Sequence, residues 1–314
     1  MKILIIGAGG VGIGLATSVA SQGAEIGIYA RGKTAQAIKE NGIKRTGLFQ
    51  HYEIKNIPVY EKYTEIPENT YDYIFITAKT TANEDISSNL NKHKNILKTN
   101  TKIIIFQNGF GNDEYYLKYF TKQQVFTSRI ITGFTRPERH ISEVTVYTEP
   151  ILIGSLQKES PHQLQEIADL ITSSGIKCEL TDEVDKYLWA KMLYNCSLNA
   201  LGAILNCTYG ELSQNPYTVE IMNHIIDEVF NVITTSGYET LWNSPKEYKN
   251  LFYSKLIPDT YNHYSSTHHD LQKKIKTEID SLNGKVIELG KINNVNVEYN
   301  KIIYNLVKAI ENTF

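Results

Sequence analysis

The sequence is poor in the residues that build cross-links and membrane anchors. It holds three cysteines, Cys178, Cys196 and Cys207, among 314 residues. An odd number without CxxC spacing argues against a disulfide framework and against a cysteine zinc site, and fits a reducing cytoplasm. No run approaches the ~20 apolar residues of a membrane span. The amino terminus loosely imitates a secretory leader, with Met1-Lys2, apolar residues and then SVASQGA, but glycines at 7, 9, 10, 12 and 14 break the would-be apolar segment. A basic excess is missing too. The 32 basic and 34 acidic residues leave a formal net charge of −2, which offers nothing to nucleic acid or an anionic membrane. His268 and His269 have no further ligand at metal spacing. Internal repeats, low-complexity segments and long linkers are absent. The expectation is a soluble protein acting on small molecules, long enough for two domains.

Short β-type runs alternate with helical stretches up to about residue 180: KILII (2–6), EIGIY (25–29), YDYIFIT (71–77) and KIIIF (102–106), separated by segments such as TAQAIKENG and ANEDISSNLNK. Strands alternating with helices of this size imply parallel βαβ units in a doubly wound α/β sheet. The runs VFTSRIITGF, ISEVTVYT and ILIGS between 125 and 155 predict consecutive strands added antiparallel at the sheet edge. After KCEL (177–180) helical periodicity takes over, with Pro216, Pro245 and Pro258 at helix boundaries. The predicted organisation is residues 1–180 as a dinucleotide-binding domain and 181–314 as an all-helical substrate domain, packed closely enough to leave a ligand cleft.

GAGGVG, residues 7–12, follows a strand and opens a helix. In that context Gly7 makes the tight turn, Gly9 lets backbone amides approach a pyrophosphate and Gly12 lets helix and strand close up, with Ala8, Gly10 and Val11 completing the loop. The helix amino terminus adds partial positive charge. The end of the second strand reads the ribose. There the sequence is Tyr29-Ala30-Arg31-Gly32-Lys33, and Glu25 lies too early in the strand to serve as the acid of an NAD enzyme. NADP(H) is therefore the expected cofactor, with Arg31 on the 2′-phosphate and Lys33 as helper, unless Arg31 is merely a solvated loop residue. Two further strand ends, at Lys79 and at Asn108-Gly109, face the same crevice. Asn108 there suits the nicotinamide end or the substrate.

LWAKMLYNCSLNA, residues 188–200, is apolar except for Lys191, Asn195 and Asn199. At ~100° per residue these three share one stripe of a helix. A cation and two carboxamides suit either a wet cleft or a solvated surface face, because an unpaired buried polar group costs roughly 1 to 3 kcal/mol. The stretch beginning at Ser265 reads as one helix with Ile275, Ile279 and Leu282 on its buried side and Ser266, Asp270 and Glu278 on a flank. A carboxylate there calls for a partner, and the lysine of the first stripe is the obvious one.

These stretches resemble one known family, the ketopantoate reductases, or 2-dehydropantoate 2-reductases. The resemblance rests on GAGGVG, YARG (29–32), TAK (77–79), QNG (107–109), WAKMLYNCSLN (189–199), the SS…D…TEID…NG pattern from 265 to 284, and Asn300. It implies a Rossmann domain joined to a helical domain like that of 6-phosphogluconate dehydrogenase. The implied reaction is NADPH reducing 2-dehydropantoate to pantoate, on the way to pantothenate and coenzyme A. Lys191 resembles the family's general acid, Asn195, Asn199 and Ser266 its substrate-binding groups, and Glu278 its acid near lysine, substrate and cofactor. The chain departs from the pattern at STHHD, at VEYN, which lacks a proline before Asn300, and at Tyr209, where the family carries an Asn ahead of Gly-Glu-Leu. Three readings stay open on these grounds: reduction of 2-dehydropantoate, reduction of a related branched or bulky 2-keto acid in a pocket reshaped by Tyr209 and His268-His269, and noncatalytic NADP(H) sensing. Retention of both Lys191 and Glu278 speaks against the last. A 2-keto acid and a second copy of the chain in a homodimer are the partners considered.

Overall fold

In the computed structural model, which describes residues 1–314, the apolar run at the amino terminus becomes β1 (Lys2–Ile6), buried from Ile3 onward. The remaining strands are β2 (Glu25–Tyr29), β3 (Ile43–Gly47), β4 (Tyr52–Ile54), β5 (Val59–Tyr60), β6 (Tyr71–Ile76), β7 (Leu97–Ile105), β8 (Val125–Arg129), β9 (Gly133–Thr135), β10 (Ile141–Val146), β11 (Ile151–Gly154) and β12 (Cys178–Leu180). Eight of them form one sheet in the order β12-β11-β8-β7-β6-β1-β2-β5. All neighbours in it are parallel except β8 and β11. Its central strands are near-continuous Ile runs because helices cover both faces, and each Ile so buried contributes about 1.5 to 3 kcal/mol. The covering helices are α1 (Gly10–Ser21), α2 (Gly32–Asn41), α3 (Asn83–Lys92), the short α4 (Glu114–Leu117) and α5 (Gln165–Ser173).

The segment 125–155 differs from the sequence expectation. Only β8 and β11 join the main sheet, and β8 enters it parallel to β7. ISEVTVYT instead supplies β10 of a second sheet, ordered β4-β3-β10-β9, in which β10 runs parallel to β3. This sheet packs on α1 through Phe134 and Ser142, whose Oγ donates to Gly10 O at 2.7 Å.

The chain divides into two compact units, Met1–Gln107 with Asn112–Val184, and Asp185–Phe314 with the four residues Asn108–Gly111. The second unit is helical: α6 (Val184–Leu205), α7 (Tyr209–Gln214), α8 (Pro216–Thr235), α9 (Pro245–Leu251), a π-turn at Phe252–Leu256, α10 (Ile257–Asp259), α11 (Ser266–Gln272), α12 (Asn283–Asn293) and α13 (Glu298–Glu311). Thr208 and Glu211 form a reciprocal cap on α7, and Asn215 and Ser244 cap α8 and α9, each with proline at its first position. No helix is long and apolar enough to cross a membrane.

The single long helix expected from Ser265 onward is not formed. The left-handed Lys274 (φ 54°) ends α11, and Ile275 is 43% exposed rather than buried. Beyond the break, Thr277 N and Oγ1 donate to Glu311 Oε1 at 2.7 and 2.6 Å. That anchorage on α13, and not the face of a helix, delivers Glu278.

Candidate active site

In the first unit the glycine turn lies at the carboxyl end of β1. Gly7 has φ 109°, and a Cβ there would collide with the backbone of Ala78, so no other residue fits. Gly12 lies against the Gly7 carbonyl in the same way. Gly9 differs: a Cβ on it would meet nothing within 4 Å, so its lack of a side chain serves open space rather than packing. It is also the N-cap of α1, and no side chain caps that helix. Open space over uncapped amides at a helix amino terminus is what a pyrophosphate fits. Ala8, Gly10 and Val11 complete the turn. Arg136 Nη1 donates to Ala8 O at 3.0 Å, a cation beside the turn that the sequence did not single out, because it comes from the loop after β9, remote in the chain. Arg31 is the exposed N-cap residue of α2, and Lys79 is half-buried just after β6.

The second unit gathers the other group. α6 carries Lys191, half-buried, with Asn195 and Asn199 at 8% and 5% exposure, so the stripe is not a solvated surface face. Lys191 Nζ donates to Asn108 Oδ1 at 2.6 Å, and Asn108 Nδ2 donates to Glu278 Oε2 at 3.2 Å. One carboxamide thus accepts from the cation and donates to the acid, a use of both its ends that fixes its orientation. Gly109 (φ 93°) sits against Ser281, and Phe110 N donates to Ser281 O at 3.0 Å. Phe110 then packs on Trp189 and Tyr238, ring centroids 4.6 and 5.1 Å away. Trp189, two residues ahead of Lys191, therefore anchors the loop that brings Asn108 to it.

Further along α6, Asn195 is 8% exposed and its carboxamide makes no side-chain hydrogen bond to the protein, so its polar atoms are left for another partner. Asn199 Oδ1 accepts from Tyr209 Oη at 2.7 Å, so Asn199 offers its Nδ2. Burial raises the Tyr209 pKa well above its ordinary value, keeping the donor hydroxyl protonated. Ser266 is exposed at the start of α11, and the bond to α6 is made by its neighbour, Ser265 Oγ to Asn199 O at 2.9 Å. Asn300 is a support rather than a ligand group. Its Oδ1 accepts from Asn283 Nδ2, which also reaches Cys196 O, and its own amide groups donate to Glu228. No cluster of three or more His, Cys, Asp or Glu is placed to hold a metal ion.

Comparison with known proteins gives this arrangement a context. Residues 3–158 match the family described as ketopantoate reductase PanE/ApbA, and residues 183–311 match its C-terminal counterpart. The 2-dehydropantoate 2-reductase of Aquifex aeolicus is 36% identical over 312 residues, covering 99% of this chain and 97% of that protein. The PanE/ApbA family ketopantoate reductase of Ralstonia eutropha has the same fold, with a TM-score of 0.87 at 22% identity over 100% of this chain and 99% of that one. A D-mandelate dehydrogenase solved with NADH and anilino(oxo)acetate shares the fold equally, again with a TM-score of 0.87 at 22% identity, covering 100% and 99%. With family matches over most of its length and a full-length relative above one-third identity, the chain belongs to the ketopantoate reductase family.

Proposed function

We propose that the protein is an NADPH-dependent 2-dehydropantoate 2-reductase, with the first unit holding the dinucleotide and the second holding the keto acid. The observation that carries the reading is the Lys191–Asn108–Glu278 chain of hydrogen bonds. Bound NADPH supplies the hydride that the ketone carbon receives. Lys191, as an ammonium ion, gives a proton to the ketone oxygen, so that ketone, hydride and proton become the alcohol. Until then its positive charge offsets the negative charge building on that oxygen. Asn108 holds the ammonium through Oδ1, and Glu278 fixes Asn108 from the other side. The carboxamide of Asn195 and the Nδ2 of Asn199 bind the substrate's carboxylate and hydroxyl oxygens, with Ser266 at the rim. Gly7, Gly9 and Gly12 cradle the pyrophosphate, Arg31 takes the 2′-phosphate, and Lys79 lines the same crevice. Three free cysteines, two of them buried, suit a cytoplasmic setting.

A second reading, reduction of a bulkier 2-keto acid, is favoured by one observation: Tyr209 takes the Asn199 Oδ1 that would otherwise be open to a hydroxyl of the substrate. NADPH oxidation measured with 2-dehydropantoate against a panel of branched and aromatic 2-keto acids decides between them. The first reading requires 2-dehydropantoate to have the highest kcat/KM, and a higher value for another acid overturns it.

A further inference from the structure

The ribose-reading rule looks for an acid at the end of β2, and that strand ends in Tyr29-Ala30-Arg31. Yet β2 is not the edge of the sheet. β5 runs parallel beside it, with Ile28 opposite Val59 and Tyr29 opposite Tyr60, and Ala30 N donates to Tyr60 O at 3.0 Å. The residue after β5 is therefore level with Ala30 and Arg31, and it is Glu61. Its Oε2 accepts from Gly32 N, the first amide of α2, at 3.2 Å, while its Oε1 pairs with Lys39 Nζ at 2.8 Å. Gly32 has φ 56°, and a Cβ on it would meet nothing within 4 Å, so the backbone beside this Glu61-bound amide is not covered by packing.

A 2′-phosphate and a 2′-hydroxyl ask opposite things of such a place. The phosphate needs donors and cations, and a carboxylate on the nearest amide both occupies a donor and repels it. The hydroxyl needs an acceptor, and a carboxylate supplies one. We propose that Glu61 is a specificity-determining residue for the cofactor: seated on the Gly32 amide beside Arg31, it competes with the 2′-phosphate and accepts from the ribose 2′-hydroxyl, so the protein admits NADH alongside NADPH. The inference rests on the reading that the glycine turn and Arg31 hold the dinucleotide. Lys39 and the Gly32 amide also lower the Glu61 pKa, so the carboxylate stays ionised at neutral pH.

The test is titration of NADPH and NADH binding by fluorescence, with the protein as it stands and with Glu61→Gln and Glu61→Ala. Glu61→Gln keeps an acceptor for the Gly32 amide but removes the charge. Both variants should tighten NADPH and weaken NADH, moving the ratio of the two Kd values at least about tenfold toward NADPH. A common shift of both Kd values, or none, overturns the role of Glu61, and thermal unfolding in parallel assigns a common shift to lost stability. Arg31→Asp is the control for the underlying reading: if it leaves both Kd values unchanged, or neither nucleotide binds the parent protein, the cofactor reading falls and this inference with it. If Arg31→Asp weakens NADPH while the Glu61 variants leave the ratio untouched, only the inference about Glu61 fails.

Discussion

Lys191 and Asn108 are 83 residues apart in the chain and 2.6 Å apart in space, ammonium to carboxamide oxygen. The same carboxamide reaches Glu278 with its nitrogen. The cation and the acid are therefore read through one shared group, and the first two predictions follow from that sharing.

Replacing Lys191 by Ala should lower kcat by about 10² to 10⁴, the loss expected for a positioned proton donor. NADPH affinity should stay within about twofold, because the glycine turn and Arg31 belong to the other unit. Steady-state rates with a nucleotide titration check both. A folded variant within about threefold of the parent rate, ~0.65 kcal/mol, would remove Lys191 from the catalytic role.

Glu278→Gln and Lys191→Ala should be strongly non-additive. Each substitution alone disturbs Asn108, so the second has less left to remove, and the cycle in kcat/KM should show a coupling of roughly 1 to 3 kcal/mol. Additive losses would mean that Asn108 does not link the two groups.

Tyr209→Phe removes the donor to Asn199 Oδ1 in a buried place. The carboxamide is then no longer held with its Nδ2 toward the carboxylate of the substrate. KM for the keto acid should rise several-fold, by about 1 kcal/mol for one lost hydrogen bond, with kcat and NADPH affinity little changed. Should kcat fall instead with KM unchanged, Tyr209 would act on the chemical step rather than on substrate binding.

His268 should make the fold acid-sensitive. Its Nε2 lies 2.7 Å from Asn206 Oδ1, which requires the proton on Nε2 and the lone pair on Nδ1, and Nδ1 is buried without a partner. Desolvation, then the charge of neighbouring His269, hold its pKa below the ordinary 6.5. The folded state thus prefers the neutral ring while the unfolded chain takes up the proton first. Its contribution is complete above pH 6.5 and is lost as pH falls through 6.5 toward the depressed folded value. Thermal unfolding between about pH 7 and 5 should show a shallower decline for His268→Gln than for the parent. Identical slopes would refute it.

The parts of this architecture that were legible in the sequence are those governed by local rules. GAGGVG announces its turn because only glycine tolerates the close approaches at positions 7 and 12, and the β1, β2 and β6 runs announce a buried parallel sheet. The stripe of Lys191, Asn195 and Asn199 is likewise fixed by helical geometry alone. What failed to show are features decided by distant partners. LQKKIKTEID keeps a helical pattern through its break, because the left-handed position is Lys274 instead of glycine and the segment beyond is held by Glu311. ISEVTVYT reads as an edge strand of the main sheet, and only its pairing with β3 removes it. The carboxylate on the Gly32 amide is hidden for the same reason: β2 ends without an acid, and Glu61 reaches this place from β5, remote in the chain.

The four residues Asn108–Gly111 make the helical unit a discontinuous module. A fragment beginning at residue 185 would keep Lys191, Asn195, Asn199 and Glu278 but lose the carboxamide that bridges two of them, and Trp189 would lose the Phe110 ring against it. The same holds for chimaeras. Two relatives joined at residue 184 would each inherit a foreign tetrapeptide in the middle of their own polar set, so a splice intended to exchange substrate preference has to carry 108–111 with it. The polar set around Lys191 is therefore built from two segments of chain, and an exchange of the helical unit has to move them together.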